Sequence, residues 1–179
     1  MKNLNVISES TKIGNNFKIG YFCIIEDGVE IGDNVTIGNY TIIHKEVKIG
    51  NGTKVGSYCE VEVGTKVGQN VIIQGRIRTG EYCIIENNVT IKYGAILTSN
   101  ATLKKNCFIG PNAITLGSTH KRVTIHGTVI GENTYIGAGS KIAAGTIIGS
   151  DIVVGTLSFV NKNIPEAGIY AGIPAKKIR

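Results

Sequence analysis

Three histidines, His44, His120 and His126, are the side chains of this 179-residue chain best poised to move a proton near neutral pH. A histidine beside an amine or a hydroxyl can take its proton as the heteroatom attacks a carbonyl. Donors close by must then receive the negative charge that grows on the carbonyl oxygen. His120 and His126 share one short stretch of chain, whereas His44 stands far upstream. Zinc needs convergent ligands, and this spacing does not supply them, so no metal site is expected. The four cysteines, Cys23, Cys59, Cys83 and Cys107, include no C-x-x-C pair. They read as buried structural thiols of a reducing compartment.

The elements that must position these groups follow from a six-residue repeat. Stepping by six from Ile7 gives Ile13, Ile19, Ile25 and so on to Ile109, with Thr79 the single non-aliphatic rung. Six is a multiple of two, so a strand holds all these side chains on one side, which a 3.6-residue helix cannot do. Four residues after each rung comes a second, smaller series that includes Phe17, Val29, Val35, Thr41 and all four cysteines. One position before it stands Asn or Gly in most repeats, as at Asn16, Gly28, Asn34, Gly52 and Asn70. These residues best tolerate positive φ, which places a corner there. Each repeat therefore makes one short strand and one corner, and three such sides close a triangular coil. Parallel coils of this kind stack about 4.8 Å apart.

The register breaks once. The rungs stop after Ile109 and resume at Ile130, continuing through Ile136, Ile142, Ile148, Val154 and Val160. A segment of about 115–129, holding His120 and His126, is expected to loop out of the coil. Pro165 and Pro174 end the repeat. The expected organisation is a β-helix domain over 1–164 and a tail over 165–179 that folds back or is irregular. A prism one side chain wide has no room inside for a substrate. Any site must lie outside, in a groove closed by a second prism and by the excursion. That implies an oligomer with shared sites.

Composition agrees with a narrow, regular core: 42% hydrophobic residues, 6% aromatic, no Trp and 24 Gly. No run approaches the roughly 18–20 apolar residues that span a bilayer, and the first five residues have no signal-peptide character. A cytoplasmic protein without a membrane partner is expected. The net charge of +6 suits phosphate-bearing small molecules. Its basic pairs, Lys104-Lys105, Lys121-Arg122 and Lys176-Lys177, are too scattered for a nucleic-acid stripe.

The aliphatic–Gly–x–x–small–x repeat resembles that of the hexapeptide acyltransferases over nearly the whole chain. The resemblance implies an all-β fold, a left-handed parallel β-helix with one looped-out excursion and a short C-terminal extension. Residues 130–179 are similar to the C-terminal half of sugar O-acetyltransferases and nucleotide-amino-sugar N-acyltransferases. The similarity includes Lys162 before Ile164-Pro165, then Ala171-Gly172-Ile173-Pro174-Ala175-Lys176. Residues 108–120 are similar to the family's approach to its catalytic histidine, which the resemblance places at His120. His126 and His44 are the alternatives, and some relatives of this kind manage without a side-chain base.

The same resemblance implies acetyl-CoA, or another acyl-CoA, as co-substrate. Ala138 and Thr156 match small positions whose backbone meets the pantetheine arm. Asn161 and Lys162 match the adenosine-phosphate end, and Lys176 a basic residue that meets phosphate. Gly137 or Ala138 is a candidate oxyanion donor. Acceptor residues are expected to face outward in the groove, with Glu86 and Asn112 as candidates. The implied assembly is a homotrimer. The implied reaction is acyl transfer to the amino group of a nucleotide-linked sugar for cell-surface glycan synthesis, chosen for the long run of coils before the excursion. The alternatives are a sugar O-acetyltransferase, a metal-dependent carbonic-anhydrase-like protein and a non-catalytic scaffold.

Overall fold

A computed structural model describes residues 4–119, 121–125 and 127–179. Every regular element among them is a β-strand, most only two residues long. The strands wind a left-handed parallel β-helix of about nine turns. No helix is long and apolar enough to cross a membrane.

The prism has three faces. Face I carries Val6–Ile7, Ile24–Ile25, Ile42–Ile43 and Glu60–Val61, then Ile114–Thr115, Lys141–Ile142 and Phe159–Val160. Face II runs from Lys12–Ile13 to Ile147–Ile148, and face III from Lys18–Ile19 to Ile152–Val154. Val6 pairs with Ile24 and Ile24 with Ile42, which fixes the coil at 18 residues. Two-residue strands cannot persist alone. They are held because each coil donates its amides to the next, as Gly14 N–H does to the Ile31 carbonyl at 2.8 Å.

From Ile25 to Val160 the second residue of each two-residue strand fills the core, whereas Ile7 and Ile13 of the first coil are exposed. Ile25 to Ile109 are almost wholly buried, as are Cys23, Val29, Val35, Cys83 and Cys107 of the smaller series. The cysteines are free thiols, and burial pushes Cys83 up to about 11 and Cys107 up to about 12. The corners take positive φ where expected, at Asn16, Gly28, Asn34, Gly52, Asn70, Asn88 and Asn112 among others. Phe22, Tyr40, Tyr58 and Arg76 also adopt it. Their side chains compensate by stacking between coils: Phe22 on Tyr40 at 5.0 Å, Tyr40 on Tyr58 at 5.1 Å, and Arg76 over Tyr58 at 5.8 Å. Such contacts are worth about 0.5–1.5 kcal/mol each, comparable to the roughly 1–2 kcal/mol that the left-handed backbone costs.

The ladder does not end at Ile109. Ile114–Thr115 forms one further strand, with Thr115 turned inward and buried. Thr115 escaped the pattern because a buried threonine replaces the aliphatic rung. The chain then leaves the coil and returns at Val129–Ile130. Thr102 pairs with Val129, 27 residues on instead of 18, so the excursion inserts nine residues at the corner between faces I and II.

The tail is more regular than the prolines suggest. Gly168–Ala171 adds a parallel strand to face III against Ile152–Val154, and Lys176–Lys177 folds back antiparallel onto it.

Candidate active site

The edge between faces III and I gathers four of the sequence-derived residues. Asn112, Gly137, Ala138 and Thr156 lie there on successive coils, tied by Gly139 N–H to Pro111 O and Leu157 N–H to Ala138 O, both 2.8 Å. Several first corner residues lock their amide onto a side chain one coil away: Tyr21 N–H to Asn39 Oδ1 at 2.9 Å, Asp33 N–H to Asn51 Oδ1 at 2.9 Å, Gln69 N–H to Asn87 Oδ1 at 2.8 Å. Ala138 and Thr156 have no such lock, and neither amide meets an acceptor among the described residues. Gly137 differs. Its N–H donates to the Val154 carbonyl at 2.8 Å, so of the two expected oxyanion donors only Ala138 has an open amide. Asn112 accepts at its own carbonyl from Lys141 Nζ, 3.2 Å away.

The opposite edge of face I, towards face II, carries the C-terminal cavity. Asn161, Lys162 and Lys176 line one hollow of about 470 Å³ with Asn163, Glu166 and Lys177. Lys177 pairs with Glu166 at 3.2 Å. Lys162 and Lys176 are exposed and pair with no carboxylate among the described residues. The hollow therefore presents cations free to take phosphate oxygens. Within one chain Asn161 and Lys162 and the Ala138–Thr156 column sit on different edges of face I.

His44 lies on the same edge, several coils towards the N-terminus. Its Nδ1 is 3.2 Å from Glu26 and its Nε2 is 3.2 Å from Glu60 and 3.9 Å from Glu62. Arg78 closes the cluster, at 3.2 Å from Glu60 and 2.9 Å from Glu62. Burial pulls the His44 pKa down, but the hydrogen bonds it donates to Glu60 and Glu26 and the charge of Glu62 outweigh it and hold the imidazolium above its usual range. With a carboxylate on each ring nitrogen, the charged form has no lone pair for general-base work. His44, Glu60 and Glu62 could together face a cation, but His44 and Arg78 already take both oxygens of Glu60, and of Glu62 only Oε2 has no hydrogen bond among the described residues. Sequence spacing missed this cluster because it is assembled across four coils.

Glu86 lies on the edge between faces II and III. Its carboxylate accepts from Lys104 Nζ at 2.9 Å and from the Lys105 amide at 3.1 Å. The Lys104 hydrogen bond is the main cause that holds it below the usual carboxylate range. It is thus engaged within its own edge and far around the prism from Asn112.

His120 and His126 lie outside the described residues. Their neighbours form a small hairpin: Ser118 bridges Thr124, and Thr119 N–H donates to the Val123 carbonyl at 2.9 Å. Gly117 and Thr124 of this hairpin overhang a trough on face I that also takes in Glu62, Arg78 and Thr98.

A family profile described as bacterial transferase hexapeptide (six repeats) matches residues 10–45 and 127–162. A second, the hexapeptide repeat of succinyl-transferase, matches residues 46–75. Together they cover more than half of the chain, and the protein belongs to the hexapeptide-repeat acyltransferase family. Among curated proteins none matches the sequence.

Solved structures resemble the fold. The UDP-N-acetylglucosamine acyltransferase from Campylobacter jejuni is 20% identical, with a TM-score of 0.88 over 98% of this chain and 73% of its own. The corresponding enzyme from Bacteroides fragilis is 22% identical, with a TM-score of 0.86 over 99% and 73%. PerB from Caulobacter crescentus, solved with CoA and GDP-perosamine, is 22% identical, with a TM-score of 0.61 over 69% and 57%.

Proposed function

We propose that the protein is an acyl-CoA-dependent acyltransferase that acylates the amino group of a nucleotide-linked sugar in the cytoplasm. The observation that carries the reading is the C-terminal hollow, where the residues matched to the family's CoA phosphate positions, Asn161, Lys162 and Lys176, line one cavity. Two unpaired ammonium groups there suit an anion. The open amides of Ala138 and Thr156 suit the carbonyls of a pantetheine arm and of the thioester. Two bound relatives are consistent with this chemistry: PerB holds CoA and GDP-perosamine, and the acetyltransferase domain of PglB from Neisseria gonorrhoeae holds acetyl coenzyme A.

In the reaction, the acceptor nitrogen attacks the thioester carbonyl and a C–N bond forms. The oxyanion is received by the Ala138 N–H. Collapse breaks the C–S bond and releases the CoA thiolate. The nitrogen's proton passes to His120, which returns it to the thiolate, so the site ends as it began.

The split of the site residues between two edges of face I favours an assembly in which one edge from each of two copies forms a complete site. Outward apolar residues along face III, Ile72, Phe108, Tyr135 and Val153, suit such packing. A homotrimer is the proposed assembly, and light scattering on the eluting protein tests it.

The function is tested by incubating the protein with acetyl-CoA and UDP- and dTDP-linked amino sugars, with products read by mass spectrometry. Acylated amino sugar is expected, and product from free hexoses alone would sink the N-acyl reading. Lys162→Ala and Lys176→Ala should each weaken CoA binding about tenfold, and the double variant should lose its salt dependence. Full turnover by His120→Ala would remove the catalytic assignment and leave the acyltransferase reading standing.

A further inference from the structure

Face I is interrupted where the other two faces are continuous. Its paired strands stop at Glu60–Val61 and restart at Ile114–Thr115, joined only by single bridges at Arg78 and Ile96. Two threonines cause this. Elsewhere the amide after a rung donates to the next rung's carbonyl, as His44 N–H does to Val61 O at 2.9 Å. At the break the Glu62 amide donates instead to Thr79 Oγ1 at 2.9 Å, and the Thr98 amide to Thr115 Oγ1 at 2.8 Å. The single polar rung of the sequence ladder, Thr79, is therefore a site of altered backbone pairing.

A trough of about 370 Å³ opens over this break. Glu62, Arg78 and Glu81 line it, together with Gly117 and Thr124 of the hairpin. Its floor includes Ile96, which is 40% exposed, and hydroxyls of Thr98 and Ser99 fringe it. An apolar floor with a polar rim suits a pyranose ring, which has apolar faces and a polar edge. Two carboxylates against one guanidinium leave the lining net negative. Arg78 and His44 hold Glu62 in place from two sides. Gly117 and Thr124 belong to the excursion that carries His120 in sequence.

We propose that this trough binds the amine-bearing ring of the acceptor, with Glu62 as the carboxylate that selects an ammonium over a hydroxyl; the ammonium gives one proton to solvent before its nitrogen attacks. The proposal rests on the acyltransferase reading and names the acceptor side of the same site. It assigns recognition to Glu62, positioning of that carboxylate to Arg78 and His44, and shape to Ile96.

Binding, not turnover, tests it. UDP-, dTDP- and GDP-linked amino hexoses are titrated against their hydroxyl counterparts by calorimetry, with CoA titrated separately. Wild type should bind at least one amino hexose about tenfold or more tightly than its hydroxyl partner, the size expected of a charge-assisted contact. Glu62→Gln should erase that preference with CoA affinity unchanged. Ile96→Tyr, a surface change that fills the trough, should weaken both sugars and spare CoA. The proposal is overturned if wild type binds no member of the panel, if it binds amine and hydroxyl equally, or if Glu62→Gln keeps the preference. A failed acyltransferase reading looks different: the amine preference is present, but CoA does not bind and no thiol is released.

Discussion

Replacing Gly110 by alanine probes the coil stacking and the reaction together. A Cβ at Gly110 would sit 2.6 Å from the Ala138 nitrogen, 2.7 Å from the Ile136 carbonyl oxygen and 2.8 Å from the Gly137 carbonyl carbon. All three are backbone atoms, so no side chain can swing aside. Comfortable contact needs about 3.5 Å, so the coils must part by about 0.9 Å. The Gly110 N–H to Ile136 O and Gly139 N–H to Pro111 O bonds, both 2.8 Å, would then stretch beyond bonding range. At about 1 kcal/mol for each hydrogen bond plus about 1–3 kcal/mol of overpacking strain, the cost is about 3–5 kcal/mol. For a chain of this size that lowers the apparent Tm by about 6–20 °C. Ala138 moves by a similar distance. If its amide receives the oxyanion, turnover falls about 100-fold. Thermal melts and thiol release from acetyl-CoA measure the two effects. A Tm within about 2 °C of wild type, with unchanged turnover, would refute both the close stacking at this corner and the role of Ala138.

Stability should depend on pH through His44. Its pKa is raised in the folded chain, so its contribution is complete below the usual imidazole value and fades as pH rises through the folded one. Melts at about pH 5.5 and about pH 8.5 should differ in wild type, and His44→Gln should narrow the difference; an unchanged pH profile would dissociate the cluster from stability. The four thiols are buried, and Cys83 and Cys107 are pushed up to about 11 and about 12. A thiol reagent should therefore label them only after denaturation, and fast labelling of the native protein would show that the prism opens.

Much of the fold was legible because its information is local and repeated. An aliphatic rung at Ile25, Ile31 and Ile37 and an Asn or Gly corner between them specify strand, turn and inward face without reference to distant chain. The aromatic corners were not legible in this way. Phe22, Tyr40 and Tyr58 break the Asn/Gly preference, and only the coil spacing reveals that each is supported by a ring from a neighbouring coil. The excursion was visible as a slip in register, but its size was not. Thr115 hides one further rung behind a polar residue, and pairing across coils was needed to count nine inserted residues.

The site divides along the same line. Sequence resemblance by itself named Asn161, Lys162 and Lys176, and the tertiary structure drew them into one hollow. It also named Gly137 and Ala138 together, and only backbone pairing across coils distinguished the engaged amide from the open one. The cluster of Glu26, His44, Glu60, Glu62 and Arg78 has no sequence signature, because charges that touch there come from four different coils. A periodic sequence determines what each coil is, since every repeat carries its own inward and corner residues. What lies beside what on the outer surface depends on coils stacking in register, and that the three-dimensional winding alone decided.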